Sequence, residues 1–501
     1  MQIFLAALPI LVLLGLMIGP RWSAQKAGPA SWLAGAVVAG LAFGLTPAVL
    51  WVSQARGLLL SFFVLAVLWP ALLLYNIVDR TGGIKAIARG LEGVIGDRGL
   101  LLVLLAWAFS ALLEGLAGFG LPIAIVSPML VALGVEPVIA VAAVAVGHAW
   151  SVTFGDMGVI LQTLSGVVKQ DPAVLAPAAG LALGAACLVC GLSAAQILKQ
   201  GRLWLRVIAL GLLMAGVQYG LAVAGLTPLA ALGAGLAGLI GGVLASRPRS
   251  GEGRQPGMIP PPLAAALASY GGLALLMTLI AWPGPLRAAI FPAVWQPQFP
   301  AVATIAGTIT PAGPGQAFRP FVHPGTSILC VALLSYVFYR RASLCGRGDL
   351  RAAAHATWRS AAPSSLGIIA TVGLSTMMEH SGMTQLLARS LASLMGAAFP
   401  LVSPLVGMLG AFATGSNNNS NILFAPLQNN IAGLLAIDPR LLLATQTAGG
   451  ALGSMIAPAK LTVGCSTVGM RGHEGDVLRH TLFYGLGIGL LLGALALLFA
   501  G

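Results

Sequence analysis

The sequence predicts an all-α polytopic membrane protein with about 12–14 transmembrane helices, built as two related halves. Three observations predict it. Of 501 residues, 58% are hydrophobic and only 8% are charged, where soluble domains carry about 25% charge. Apolar runs recur from end to end. The chain also repeats itself across its midpoint.

The runs fall at 3–18, 32–43, 58–77, 100–113, 122–133, 138–149, 174–198, 203–222, 229–244, 263–281, 327–338, 366–378, 401–413, 422–435, 441–456 and 482–499. The first lacks a basic flank, and Pro20 and Arg21 follow it with no small-residue cleavage site. It reads as a retained helix, not a leader. Several runs are shorter than the roughly 20 residues a crossing needs. In lipid that implies half-helices or re-entrant hairpins, with irregular backbone only where protein or a cavity shields it.

The net charge of +13 gives no reason to expect nucleic acid. Its basic residues cluster in short loops, at Arg247, Arg249 and Arg254 and at Arg340, Arg341, Arg347 and Arg351. An excess of Arg in short loops marks the cytoplasmic side. Cys187 and Cys190 are spaced CxxC but lie inside an apolar run, so they read as packing residues. No metal spacing, phosphate loop or nucleophile–base pair is present. Gly118-Phe119-Gly120 follows no expected strand, and His473, Glu474 and Asp476 form a polar loop. The chain is read as neither an enzyme nor a cofactor or metal protein.

Asp79-Arg80-Thr81-Gly82 through Leu91 resembles Glu379-His380-Ser381-Gly382 through Leu391, at an offset of 300, and Ala132–Pro137 resembles Leu434–Pro439 at 302. Each unit reads as a spanning helix, a short amphipathic helix (84–95; 383–394), another helix, a polar break and a further short helix. The division is an N-terminal repeat over 1–246 with a hairpin around 114–134, a cytoplasmic linker at 247–262, and a C-terminal repeat over 263–501 with a hairpin around 414–436. Repeated broken helices point to a secondary transporter with its site between the repeats. Asp79 and Glu379 read as boundary charges.

The second break is Thr414-Gly415-Ser416-Asn417-Asn418-Asn419-Ser420-Asn421, in which every residue but Gly415 carries a hydroxyl or amide. Such groups cost several kcal/mol each at bilayer depth unless satisfied. A broken backbone facing a polar ligand is therefore expected, with a new half-helix opening at 420–427. The 302 offset sets Ser416 opposite Glu114, in Glu114-Gly115-Leu116-Ala117-Gly118-Phe119-Gly120-Leu121-Pro122.

At these residues the chain resembles the lactate permease family of bacterial carboxylate transporters. The likeness rests on Leu74-Tyr75-Asn76, Glu114–Gly120 with Pro122, Phe154-Gly155 with Met157-Gly158, Pro324-Gly325-Thr326, Thr414-Gly415-Ser416 with Ser420-Asn421, Thr447–Gly450, Met455-Ile456 with Pro458, and Val468-Gly469 to Asp476 with Arg479. The resemblance implies uptake of lactate, glycolate or similar 2-hydroxy monocarboxylates with protons, in the inner (plasma) membrane. It also implies inverted repeats, paired hairpins and an elevator-like arrangement of scaffold and transport domains. Partners are then a small carboxylate and the bilayer, with the chain a monomer or homodimer. The sequence departs from the family at Asn417-Asn418, where Asp-Thr is common, at His148 and Asp156, and at Lys460.

For a small carboxylate, donors come from Thr414, Ser416, Asn417, Asn418, Asn419, Ser420 and Asn421, from the backbone of Gly118, Phe119 and Gly120, and from Lys460. Capping of half-helices is the alternative use of the Asn/Ser run. Glu114 leads the proton-coupling candidates, with Asp156 and His148 behind it, and Asp156 and Lys460 are placed to meet across the repeat axis. The coupling ion is expected to be H+, with Na+ as the alternative, since Asn and Ser oxygens suit that ion.

Overall fold

Lipid offers no partner to a backbone amide, so an apolar chain crossing it closes its hydrogen bonds within helices. The structure, a computed structural model, follows that rule and describes residues 1–18, 20, 22–83, 94–116, 118, 120–246, 261–281, 284–470 and 473–500. Nine helices among the described residues are long and apolar enough to cross a bilayer, with three shorter apolar helices beside them. The protein is a multi-pass membrane protein. The expected short helix at 84–95 and the linker at 247–262 lie largely outside the described residues.

Two helices differ from expectation. Runs 58–77 and 366–378 are the C-terminal parts of the longer helices Pro47–Arg80 and Asp349–His380, with 34 and 32 residues. At 1.5 Å per residue these measure about 50 Å, against an apolar core of about 30 Å. Polar flanks end the hydropathy signal but not the helix, because partners satisfy them. Gln54 accepts from the Trp32 indole (2.9 Å) and donates to the Gly373 carbonyl (3.0 Å). The pair runs antiparallel: Gln54 meets Gly373, Trp69 donates to Ser365 (3.0 Å), Asn76 to Thr357 (3.0 Å), and Arg80 pairs with Asp349 (3.4 Å).

Beyond each long helix the chain follows the same plan. Gly82 and Gly382 end the pair at φ 74° and 85°. In the first half, Arg98–Leu116 breaks ahead of Leu121–Ala132, then Pro137–His148 continues as a 3-10 turn to Phe154 and breaks again before Val159–Val168. In the second half, Met383–Met395 and Phe399–Thr414 precede Asn417–Leu435, Pro439–Gly453 and Pro458–Thr467. Pro137 and Pro439 both start their helices, where a missing N–H costs nothing.

The expected pairing of Ser416 with Glu114 does not hold. Glu114 lies within the helix ending at Leu116, before the first break, whereas Ser416 caps the helix after the second. The outgoing helix has 19 residues in the second half and 12 in the first, which absorbs the difference in offset. The all-α expectation also needs amending. Gln298–Phe299 pairs with Gly313–Pro314, and Val302–Ala303 with Ile309–Thr310. These ribbons sit between Pro261–Ala281 and Pro324–Arg341, and are tied to the core where Ile305 N donates to Gly44 O (2.8 Å) and Arg56 Nη2 to Gly313 O (3.3 Å).

Candidate functional site

The two breaks and the turn at 155–158 converge on one cavity of about 200 Å³. It is lined by Glu114, Asp156 and Lys460, by Thr414–Asn419, and by the aliphatic groups of Leu68, Val152, Val159, Ile160 and Ile368. Leu68, Ser364 and Ile368 come from the antiparallel long pair. The remaining walls come from the broken helices.

Glu114 is carried by a helix with a π turn at Leu105–Phe109, whose extra residue advances the following face. It is buried, and its Oε2 has no hydrogen-bond partner. His148 Nε2, equally buried and unpartnered, lies 3.9 Å from that oxygen. The other ring nitrogen, Nδ1, is 2.6 Å from the Val144 carbonyl. A carbonyl only accepts, so Nδ1 carries a proton, and in the neutral form of the ring Nε2 presents its lone pair toward Glu114.

Asp156 sits in backbone few residues adopt. Asp156, Met157 and Gly158 have φ of 49°, 55° and 77°. Such runs persist only where their surroundings fix them. Here the Gly118 N–H donates to Asp156 Oδ1, joining the first break to this turn. An added Cβ at Gly118 would meet Glu114 Oε1 at 2.6 Å and both Asp156 oxygens at 2.9 and 3.0 Å. Gly118→Ala is therefore expected to cost about 1–3 kcal/mol through overpacking. Melting of the purified protein checks this: an unchanged melting temperature would mean that the two carboxylates tolerate separation. Gly120 borders the site, its Cβ direction pointing toward the Lys460 stem at 4.0 Å. Phe119 lies outside the described residues.

Lys460 stands in the first turn of Pro458–Thr467 and is 9% exposed. Asp156 and Lys460 line the same cavity without a direct ion pair: among the described residues no carboxylate lies within 4 Å of the Lys460 ammonium.

The polar run divides into two parts. Phe399–Thr414 stops at Gly415 (φ 71°), and Ser416, extended, accepts from Asn419 N (3.4 Å) as the cap. The new helix opens at Asn417, not at 420, so Asn417–Asn419 form its first turn and line the cavity. The unpaired N–H groups of a first turn favour an anion. Asn418 keeps both side-chain atoms unpartnered although buried, and Asn419 Oδ1 accepts from Thr371 (3.5 Å). Ser420 and Asn421 turn away from the cavity: Ser420 donates to Gly407 O (2.7 Å) and Asn421 to Thr447 Oγ1 (2.9 Å). Thr414 returns its hydroxyl to Gly410 O (2.8 Å).

Sequence reading passed over Thr153. Asn417 Nδ2 donates to Thr153 Oγ1 and to Thr447 O, both at 3.1 Å. This joins the halves of the chain directly behind the cavity. Its signal was available as a hydroxyl in the 3-10 segment beside Asp156.

The L-lactate permease family model matches residues 2–247 and 288–500. The chain is 26% identical to the glycolate permease GlcA of Escherichia coli, covering 98% of this chain and 94% of that one. It is 26% identical to the L-lactate permease of Halalkalibacterium halodurans (97% and 94%) and 28% to that of E. coli (84% and 82%). The solved structure of Neisseria gonorrhoeae MtrF aligns with a TM-score of 0.49 at 15% identity, over 87% of this chain and 80% of that one. The family match takes in both halves and every described residue of the cavity, and the chain belongs to the L-lactate permease family, among transporters rather than enzymes.

Proposed function

We propose that the protein imports lactate or glycolate across the inner membrane by proton symport. One observation carries the proposal: a cavity of about 200 Å³ holds two carboxyl groups, one ammonium and the first turn of a helix. With both carboxyls ionised and His148 neutral, this group carries one net negative charge and repels a carboxylate. A proton on Glu114 or Asp156 brings it to neutrality, and an anion then enters beside Lys460 and the Asn417–Asn419 amides. Proton and anion thus favour each other's binding, and the coupling is reciprocal. Glu114 is the proton carrier, with His148 Nε2 as its partner through a short approach or one water. Asp156 holds Gly118 in place. Gly120, Thr414 and Ser416 complete the substrate surround, while Ser420 and Asn421 support it from behind.

The antiparallel course of Pro47–Arg80 and Asp349–His380, corresponding helices of the two sequence repeats, supports inverted repeats over 1–246 and 263–501. The paired breaks support hairpins near 114–134 and 414–436, within a count of about 12–14 spans when the shorter apolar helices cross. A cavity between the long pair and the broken helices supports an elevator-like motion of one against the other. Basic loops at 247–262 and 340–351 set the cytoplasmic side.

Linkage fixes the sign of the pH effect. Lower external pH loads the proton, so the KM for lactate falls as pH falls, by up to about tenfold per unit where proton occupancy is low. Uptake by right-side-out vesicles over a pH series measures this. A flat KM, or uptake indifferent to a protonophore, sinks proton symport. Sodium coupling is the second reading, favoured by the buried, unpartnered Oδ1 atoms of Asn417, Asn418 and Asn421. Uptake unchanged when choline replaces sodium excludes it.

A further inference from the structure

We propose that a second, outer chamber is a loading site for the substrate carboxylate, with Arg56 and Arg319 as its anion ligands. The proposal rests on the transport reading above.

The chamber measures about 500 Å³ and lies under the 291–323 segment that carries the ribbons. Pro261–Ala281 leaves the cytoplasmic linker and Pro324–Arg341 returns to the basic loop at 340–351, so the intervening cap faces outward. Five cationic or acidic side chains line the chamber: Arg56, Lys169, Arg319, Asp171 and Glu379. Both acids are already engaged. Glu379 pairs with Lys169 at 3.0 Å, and Asp171 accepts from Ala173 N (2.8 Å) as the cap of Pro172–Ile197.

The two arginines are held without a direct ion pair, Glu379 acting on Arg56 only at longer range. Arg56 stacks on Phe299 (5.2 Å to the ring centroid) and donates to Gly313 O, while Arg319 stacks on Phe291 (4.5 Å). Among the described residues neither has a carboxylate within 4 Å, and the Nε atom of each is buried with no partner. Stacking orients a guanidinium and leaves its edge donors available, the arrangement that receives a carboxylate bidentately. Gln162 and Gln316 add amide donors on the same wall.

The chamber leads toward the inner cavity along three helices. Ile422 and Val372 line the chamber, and one turn along, Asn418 and Ile368 line the inner cavity. On Pro47–Arg80, Leu60 faces the chamber and Leu68 the cavity, with buried Val64 between them on the same face. One helical turn, about 5.4 Å, separates chamber from cavity residues on two of these helices, and about two turns, with Val64 between, on Pro47–Arg80. An anion held at Arg56 and Arg319 waits on the chamber side of Leu60, Arg56 standing one further turn outward along Pro47–Arg80.

The test measures labelled L-lactate and glycolate uptake by right-side-out vesicles at low and high ionic strength, for wild type, R56Q, R319Q, R319K and R56Q/R319Q. Expected are a KM raised about tenfold in R319Q at low ionic strength with maximal rate within about twofold, partial recovery in R319K, and loss of the ionic-strength dependence in the double variant. Wild-type KM and salt dependence in the double variant overturn the loading site alone. Absence of uptake by wild type overturns the transport reading and this proposal with it. A second readout needs no transport: Gln316→Cys, with Cys330 and Cys345 changed to serine, is titrated from outside with anionic and cationic thiosulfonates. The anionic reagent is expected to react faster, and lactate to slow it. Equal rates, or rates unmoved by R56Q/R319Q, overturn the proposal.

Discussion

Glu114→Gln is expected to abolish proton-driven accumulation of lactate, by on the order of a hundredfold, while leaving exchange of lactate for lactate in place. The glutamine keeps the shape of the side chain and its place between Gly118 and His148, but it cannot bind and release a proton. The charge argument gives the sign. With Glu114 fixed neutral, the cavity holds Asp156 against Lys460, and the anion enters without a proton. Counterflow in proteoliposomes then persists while accumulation against a proton gradient is lost. A purely structural Glu114 gives a different pattern, with protein yield and both activities falling together. Normal proton-coupled accumulation by Glu114→Gln refutes the assignment outright. His148→Gln is a milder companion, expected to slow net uptake more than exchange, because His148 meets Glu114 only across 3.9 Å.

What the sequence made legible were the places where backbone and polarity conflict with lipid. The run at 414–421 and the glycine-rich run at 115–120 stand out because a bilayer leaves no other use for them. Glu114, Asp156, His148 and Lys460 stand out as ionisable residues in apolar surroundings. The structure brings Glu114, Asp156 and Lys460 to one cavity with Asn417–Asn419, and His148 within reach of Glu114. Less legible was exact register. Asn has little preference for a helix interior, so the helix start was read at 420 rather than 417; the cap at Ser416 and the anion-favouring first turn were misplaced with it. Residue offsets at the ends of a repeat say nothing about a seven-residue difference between its outgoing helices. Arg56 and Arg319 were out of reach altogether. Arg56 meets Gly313 at a separation of 257 residues, which no local periodicity carries. The cap also lacks any apolar run, and its ribbons are two residues per strand, too short for an alternating pattern.

Lys460→Gln is expected to raise the KM for lactate between about tenfold and a hundredfold, from loss of one charge-assisted contact worth about 1.5–3 kcal/mol. Lys460 supplies the only ammonium or guanidinium lining the inner cavity among the described residues. Without it, two carboxyl groups face the incoming anion, and a proton on one still leaves the other opposed to substrate. The effect is therefore larger than that of removing a single amide such as Asn418. Lys460→Arg separates charge from shape: it restores the charge, so recovery of KM points to electrostatics, whereas failure points to the room available beside Gly120. Asp156→Asn combined with Lys460→Gln removes one charge of each sign. If Lys460 served only to balance Asp156, this double variant would transport as wild type does. If it meets the substrate, KM stays high even though the buried charge is again balanced. Wild-type KM in Lys460→Gln alone eliminates substrate contact and leaves the amides and the helix terminus as the anion's sole ligands.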